Sequence, residues 1–450
     1  MEVTVLDMME ARERRLMRQR ELLSRYNSTL LCFTLNIPGP VKDSPLIRQG
    51  AAAGRYLLSC AFLGAGTAPI YETHEAGFTG IESFYVLPIS PLEAKRLSSD
   101  IEEASPLGRL FDMDVLRPDG SKVERQEVGL PGRTCLICGQ SAQACARSRA
   151  HSVEQLQKRT RELLSAGVAD LKSRTVARLA CQALLYEVNA TPKPGLVDRS
   201  NSGSHQDMDI FTFCASTSAL FPYFESCARL GMAQSDPEAL FSEIRLKGRA
   251  AEGEMLHATG GVNTHKGAIF SMGLLCAAAG RLPCSQWTAQ ALLSLCAEMT
   301  RGLTERDFAG LTEESARTSG QRLYLRHGIT GVRGQAEAGF PLVRDVGLPA
   351  LEAALHRGLS MNDACLAALT ALMSENTDTN VISRSSTARL QQLRSEASLL
   401  LSSEPFPDRN RLLELDRQLI RENISPGGSA DLLALCCFLH FLKEEEHLGL

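Results

Sequence analysis

The sequence predicts an α/β domain followed by an all-α domain, and three observations carry the prediction. Short apolar, β-prone runs alternate with helical stretches as far as about residue 167. Strand signals then nearly vanish. From there on, apolar residues recur at i, i+3, i+4 and i+7, as Val176, Leu179, Ala180, Ala183, Leu184 and Val188 do. A chain of 450 residues suits two or three domains. The boundary is expected near Gly167, giving domains 1–167 and 168–450.

Composition narrows the classes. Hydrophobic residues make up 44% and charged ones 22%, enough apolar side chains for ample core. The net charge of −4 argues against generalised binding to nucleic acid or anionic membranes. The start, MEVTVLDMMEARERR, mixes acids with arginines and has no apolar h-region, so no signal peptide is expected. The longest apolar tracts, such as Leu432–Leu442, are too short to span a bilayer. Fourteen scattered cysteines are then expected as reduced thiols in a cytoplasmic protein.

In chain order, Met8–Leu23 reads as an amphipathic helix and Ser28–Leu35 as a strand, which stops at Asn36-Ile37-Pro38-Gly39-Pro40. Lys42 follows at once, placed to offer a cation to a phosphate. Ala51–Leu63 reads as helix, and Gly77–Leu87 as a turn and strand. Next comes the run Leu110–Leu116, which carries Asp112 and Asp114. In a strand, alternation sets both carboxylates on one face and Met113 on the other. Two close carboxylates repel each other, and a divalent cation such as Mg²⁺ removes the repulsion while binding phosphate. The pattern points to metal-assisted phosphoryl or nucleotidyl transfer; two exposed aspartates on an edge strand are the plainer reading.

Downstream, Cys135, Cys138, Cys145 and His151 have the C-x₂-C-x₆-C-x₅-H spacing of a Cys₃His zinc knuckle. Against that, Gln140–His151 reads as helix, which would turn Cys145 away from the first pair. Arg147, Arg149 and His151 recur at two-residue intervals and could instead clamp an anionic substrate. His151–Lys172 continues as a charged helix, with Ser152 as N-cap and Gly167 as stop.

Three ordered motifs now resemble one family. They are Asn36-Ile37-Pro38-Gly39-Pro40 with Lys42, Gly108-Arg109-Leu110-Phe111-Asp112-Met113-Asp114-Val115, and RTCLICGQSAQACARSRAH. Together they look like holo-citrate lyase synthase, also called apo-citrate lyase phosphoribosyl-dephospho-CoA transferase. The resemblance implies a Mg²⁺-dependent, nucleotidyltransferase-like domain. It would attach a phosphoribosyl-dephospho-CoA group to a serine of the acyl carrier (gamma) subunit of citrate lyase and release pyrophosphate. Asp112 and Asp114 would hold the metal, with Lys42, Arg109, Arg147 and Arg149 as anion-binding candidates.

In the second region, helical tracts run through Phe211–Leu230, Lys266–Ala279, Thr288–Gly302, Leu348–His356, Asp363–Ser374, Ser386–Leu401 and Leu432–Leu442. The chemistry gathers in the connections. In Glu187–Asp198, EVNATPKPGLVD, two prolines stiffen the backbone around Lys193. Asn201, His205, Asp207 and Asp209 precede the next helix; Asp209 is expected to cap it, and capping needs only one of the four. Thr259-Gly260-Gly261-Val262-Asn263-Thr264-His265-Lys266-Gly267 leads into a helix, and Ser425-Pro426-Gly427-Gly428-Ser429-Ala430-Asp431 repeats the device before the last one. Glycines let backbone approach a phosphate, and helix N-termini favour anions. A hinge is the alternative for either loop alone, and neither is a Walker A loop. Asp378-Thr379-Asn380 with Arg384, and Gly331-Val332-Arg333-Gly334, add a carboxylate and cations. Such a set suits a Mg²⁺-bound triphosphate, or a reaction at a ribose carbon where a carboxylate deprotonates a hydroxyl and steadies an oxocarbenium-like transition state.

The motifs EVNATPKPGLVD, SGSHQDMD, GGVNTHKG, DTN and SPGGSADLLA resemble triphosphoribosyl-dephospho-CoA synthase. That family joins the 2′-hydroxyl of dephospho-CoA to C1′ of the ribose of ATP, expels adenine and keeps the triphosphate. By resemblance, Lys193, Asp198, His205, Asp207, Asp209, Asn263, His265, Lys266 and Asp378 are the site candidates, with Asp207 and Asp209 as a Mg²⁺ pair. Arg333, Gly260, Gly261, Gly427, Gly428 and Ser429 are phosphate-binding candidates from the loops. Two positions depart from the family pattern. Gln335 stands where a glutamate is expected, with Glu337 two residues on, and Ser385 and Ser386 follow Arg384 where glycines are frequent.

The halves make consecutive sense as a bifunctional enzyme whose catalytic order runs opposite to chain order. A neighbouring reading directs the same chemistry to the carrier subunit of malonate decarboxylase. A reading from another class is a non-catalytic zinc-knuckle module fused to a helical binding domain.

Overall fold

The computed structural model describes residues 2–402, 406, 408–445 and 449, and the chain divides into two compact units between Leu171 and Lys172.

The first unit is built on a four-stranded antiparallel sheet of order β2-β3-β1-β4. Its elements run α1 (Val5–Tyr26), β1 (Thr29–Leu35), α2 (Pro45–Gly64), β2 (Tyr71–Gly77), β3 (Gly80–Leu87), α3 (Pro91–Ala104), β4 (Phe111–Leu116) and α4 (Ala142–Ser148). One face of the sheet packs on α1, where Leu22 and Leu23 meet Leu30, Cys32, Phe84, Val86 and Leu116. Phe33 and Met113 face the other way, towards α2 and α3. Gly54 of α2 makes room there, since a Cβ on it would stand 2.2 Å from the Phe33 ring. The expected strands at Ser28–Leu35 and around the D-x-D pair are present. β2 and α3 are additional: YETHEAG is too polar to read as a strand and lies at the sheet edge with most of its residues exposed.

The strand β4 is the other edge. Its outward backbone is covered by side chains of α3: Lys95 donates to the Met113 carbonyl (3.1 Å) and the Met113 N–H donates to Glu102 (3.0 Å). Glu102 is itself buried and pairs with Arg125 and Arg133.

α5 (Val153–Asn189) is a single helix of 37 residues. Ser152 accepts from the Gln155 N–H (3.2 Å), as its capping role requires, but Gly167 does not stop the helix. Gly167 serves packing instead, as a Cβ there would lie 2.5 Å from Leu107.

The second unit continues with α6 (Ile210–Ala233), α7 (Pro237–Ala258), α8 (Lys266–Arg281), α9 (Ala289–Met299), α10 (Leu303–Phe308), α11 (Ser319–His327), α12 (Gly331–Glu337), α13 (Leu348–His356), α14 (Met361–Glu375), α15 (Thr379–Arg384), α16 (Thr387–Leu401), α17 (Arg409–Arg421) and α18 (Gly427–Glu444). The protein is thus mostly helical with an N-terminal α/β part. α8, α14 and α18 are buried along most of their length and form the core on which the loops stand. No described helix is long and apolar enough to cross a membrane.

Candidate active sites

In the first unit, Asp112 and Asp114 lie on one face of β4, across from Thr34 and Cys32 of β1, while Met113 is buried on the opposite face. Lys122 reaches Asp114 at 2.6 Å. Burial works against the charged ammonium, yet the hydrogen bond and charge of Asp114, with Asp112 behind it, hold the Lys122 pKa above the usual lysine value. The carboxylate pair therefore already attracts a cation. Glu82, across β1 from Asp112, faces the same side and pairs with Arg15 of α1. Neither Lys122 nor Glu82 stood out in the sequence, since each sits in an ordinary charged stretch.

A separate cavity of about 590 Å³ is lined by Asn36, Pro38, Arg109, Arg133, Arg149 and His151, among others. Arg109 is held by the Thr134 carbonyl (2.6 Å) and hydroxyl (2.9 Å). Lys42 folds back onto the Ile37 carbonyl of its own turn, and burial lowers its pKa. Arg147 is exposed and lies outside this lining. The four zinc-knuckle candidates converge, because α4 ends at Ser148 and does not run on to His151 as the sequence suggested.

In the second unit, two cavities of about 640 and 360 Å³ share Asn263, Lys266, Gly267, Asn380 and Asp431 in their walls. The smaller one brings together Lys193, His205, Asp207, His265, Arg384 and Gly427. Lys193 is almost fully buried against Glu187, whose pKa burial raises despite that partner. His205 contacts Ser425 Oγ through Nε2 (3.0 Å). Burial and the nearby Arg384 guanidinium lower its pKa. His265 is buried, with Nδ1 2.6 Å from Ser216 Oγ and Nε2 without a hydrogen-bond partner among the described residues. Burial, reinforced by the charge of Lys193, lowers its pKa to about 3, so the ring is neutral.

Several candidates have structural duties. Asp198 accepts from the N–H groups of Lys193, Ser200 and Asn201 and so shapes its own loop. Asp209 caps α6 by accepting from Thr212 N–H (2.9 Å) and lines neither cavity. Asp207 is largely exposed. Of the expected Mg²⁺ pair, Asp209 is thus engaged as a helix cap, and Asp207 alone lines a cavity. Arg333 is bound to Asp307 (2.6 Å) and lies outside both linings.

The glycine pairs also depart from expectation. Gly260 and Gly261 are left-handed (φ +67° and +95°) and follow the end of α7, outside both cavities. Gly427 and Gly428 are the first turn of α18, not a loop ahead of it. The anion at that helix start is internal: Asp378 accepts from the Ser429 N–H (2.8 Å) and hydroxyl (3.0 Å). A Cβ on Gly428 would stand 3.1 Å from both Asp378 oxygens. Gln335 lines the larger cavity with its buried Oε1 lacking a partner among the described residues. Glu337 is unavailable to replace it, being bound to the N–H groups of Gly302 (2.7 Å) and Thr304 (3.1 Å).

The residue that sequence reading passed over is Asp431. It lines both cavities and has no hydrogen-bond or ion-pair partner among the described residues. Its Oδ2 lies 2.1 Å from where a Cβ on Gly267 would be, at the first turn of α8. Burial, with the charges of Glu187 and Asp378, raises its pKa well above the usual carboxylate value. Its signal in the sequence is the last letter of SPGGSAD, an acid close behind a Gly-Gly pair.

Comparison with known proteins gives two matches in chain order. The CitX family, apo-citrate lyase phosphoribosyl-dephospho-CoA transferase, matches residues 3–167. The CitG family, ATP:dephospho-CoA triphosphoribosyl transferase, matches residues 173–449. Protein CitXG of Haemophilus influenzae is 37% identical over 446 residues, covering 96% of this chain and 94% of its own. The chain belongs to the CitXG family. Protein CitXG of Leuconostoc mesenteroides subsp. cremoris is 32% identical over 462 residues, covering 97% of each chain. As a CitX–CitG fusion, the protein is a bifunctional transferase that makes the citrate lyase prosthetic group and attaches it. ATP and dephospho-CoA fit as the substrates of its CitG part.

Proposed function

We propose that Asp431 is the catalytic carboxylate of the CitG part, and that Asp112 and Asp114 are the metal-holding pair of a nucleotidyltransferase-type CitX part. The carrying observation is the placement of Asp431, an unpartnered carboxylate of raised pKa in the wall common to two cavities. The triphosphate of ATP lies in the smaller cavity, where Lys266, Arg384 and His205 supply charge and hydrogen bonds. Dephospho-CoA enters from the larger one. The O2′–H proton passes to Asp431 as O2′ bonds to C1′. The C1′–N9 bond breaks with its electron pair going to N9, and adenine leaves after taking a proton there. Until it takes that proton, the negative charge of Asp431 steadies the oxocarbenium developing at C1′. Neutral His265 offers Nε2 to a ligand atom, and Lys193 holds Glu187 in place.

In the CitX part, the serine oxygen of the acyl carrier (gamma) subunit bonds to the α-phosphorus as the P–O bond to pyrophosphate breaks, pyrophosphate leaving with that electron pair and the serine proton passing to solvent. Asp112 and Asp114 fit Mg²⁺, since they share a face and already draw the Lys122 ammonium to it. When bound there, the ion would withdraw charge from the α-phosphate. Arg109 and Arg149, in the neighbouring cavity, bind the anionic arm of the precursor. No disulfide joins any of the fourteen cysteines, which together with ATP as substrate supports a cytoplasmic location.

Chromatography of free adenine from protein incubated with ATP, dephospho-CoA and Mg²⁺ tests the division. Asp431→Asn is expected to stop adenine release, and Asp112→Asn to stop transfer to the carrier while adenine release continues. Adenine release by D431N at the unaltered rate would refute the assignment of Asp431. Loss of both activities in D112N would refute the two-site division.

A further inference from the structure

We propose that Cys135, Cys138, Cys145 and His151 bind one Zn²⁺ as a closed structural site in the CitX part. The inference is independent of the catalytic roles assigned above.

The local fold builds a ligand set. Thr134 and Ser141 form an antiparallel bridge, closed by Cys135 N–H donating to the Gln140 carbonyl (2.6 Å). Gly139 takes the left-handed conformation (φ +72°) that this turn requires. The turn also aims the Ile137 N–H at Cys135 Sγ (3.5 Å), support of the kind that ligating groups receive from their surroundings. Ser141 caps α4 and so sets Cys145 on its first turns. Arg149, left-handed at φ +50°, then ends α4 and swings His151 back to the thiols.

The four donor atoms lie within 4.8 Å of one another. Cys138 Sγ is 3.4 Å from Cys145 Sγ and 3.3 Å from His151 Nε2. A tetrahedral zinc ion with ordinary bond lengths needs donor separations of roughly 3.5–3.8 Å, within a few tenths of these. A Cys138–Cys145 disulfide would explain one of these contacts and leave Cys135 and His151 without purpose.

A second observation concerns what holds this segment together. Between residues 132 and 151 only Cys135 is buried. Twenty residues without an apolar core need another staple, and a structural metal supplies folding free energy outright. Three thiolates and an imidazole in a tetrahedral set select zinc among common ions. With four protein ligands no open position remains for substrate, so the metal acts by holding the loop. That loop carries Thr134, which grips Arg109, and Arg149, so the ion fixes one wall of the CitX cavity.

The test is the metal content of the full chain purified without chelator, measured by mass spectrometry, with Co²⁺ substitution as a second readout. About one zinc per chain is expected, with the strong visible bands of thiolate-bound tetrahedral cobalt after exchange. Cys138→Ser should reduce zinc at least about tenfold, while Cys60→Ser, at an exposed cysteine outside the cluster, should keep it. A circular dichroism spectrum and thermal unfolding of C138S matching the wild type would show that both units of the variant are folded, so that its metal loss reports a lost ligand. Zinc-free wild-type protein, a Cys138–Cys145 disulfide, or undiminished zinc in C138S would overturn the proposal.

Discussion

Asp431 stands out at the cleft for what is withheld from it. The buried acids near the cleft have partners, whereas half-buried Asp431 has none among the described residues: Glu187 has Lys193, Asp378 has Ser429, and Asp198 has three backbone N–H groups. In the proposed role of proton acceptor, its raised pKa would move the acid limb of the adenine-release profile above the ordinary carboxylate range. Asn at this position should lower kcat for adenine release by about 10²-fold or more and abolish that limb. Gly267→Ala should also slow the reaction, because its Cβ would collide with Asp431 Oδ2, and the measured loss should fall on kcat with the fold intact. His265 yields a prediction of a different kind. The folded chain leaves this imidazole neutral down to about pH 3, whereas an unperturbed histidine takes a proton near 6.5. Between those values the unfolded chain binds the extra proton, so this contribution to stability is fully present above pH 6.5. It is lost on acidification at up to about 1.4 kcal/mol per pH unit. Thermal unfolding at pH 7 and pH 5 should show the fall, and His265→Gln should flatten it.

Among the elements, the sequence was legible where one face met the core and opaque where tertiary partners decide. The D-x-D strand and α8, α14 and α18 were readable because their apolar residues are core residues. β2 was not, because Tyr71–Gly77 has little to bury at the sheet edge. The stop assigned to Gly167 failed because a glycine inside a helix marks a close neighbour, here Leu107, as readily as an end. Of the site, the motifs marked the right connections but not the duties within them. A cap such as Asp209 and a cleft residue such as Asp431 are the same residue type, and only the third dimension separates them. The loop after α5 shows how such a connection is pinned. Asp416 of α17 accepts from Gly195 N–H (2.9 Å) and Asn201 Nδ2 (3.0 Å), a link across more than two hundred residues that no spacing reveals. Gly195 is left-handed (φ +72°), and a Cβ on it would lie 2.4 Å from the Ile424 carbonyl oxygen. Gly195→Ala should therefore cost at least about 1–2 kcal/mol, read as a lower Tm together with weaker ATP binding.

At the level of the whole molecule, the two activities are consecutive and reside in separate units, so each should survive loss of the other. A mixture of D112N and D431N chains should charge the carrier when neither variant does so alone, because each contributes one competent unit, provided that the triphosphoribosyl intermediate is released between them. Mass spectrometry of the carrier checks this, and an unmodified carrier in the mixture would show that the intermediate is not released. The covering of β4 by α3 bears on how that carrier can arrive. Many proteins receive an extended peptide by adding it as a new strand at an open sheet border. Here the border beside Asp112 and Asp114 has its Met113 donor and acceptor taken by Glu102 and Lys95, and the Val115 carbonyl is taken by Val123 N–H (2.9 Å). β-augmentation is closed at this site. With the metal held at Asp112 and Asp114 as proposed, the carrier would present its serine on a turn or helix end lowered onto the face of the sheet, so that a folded partner's shape would be recognised and not an unfolded stretch of its chain.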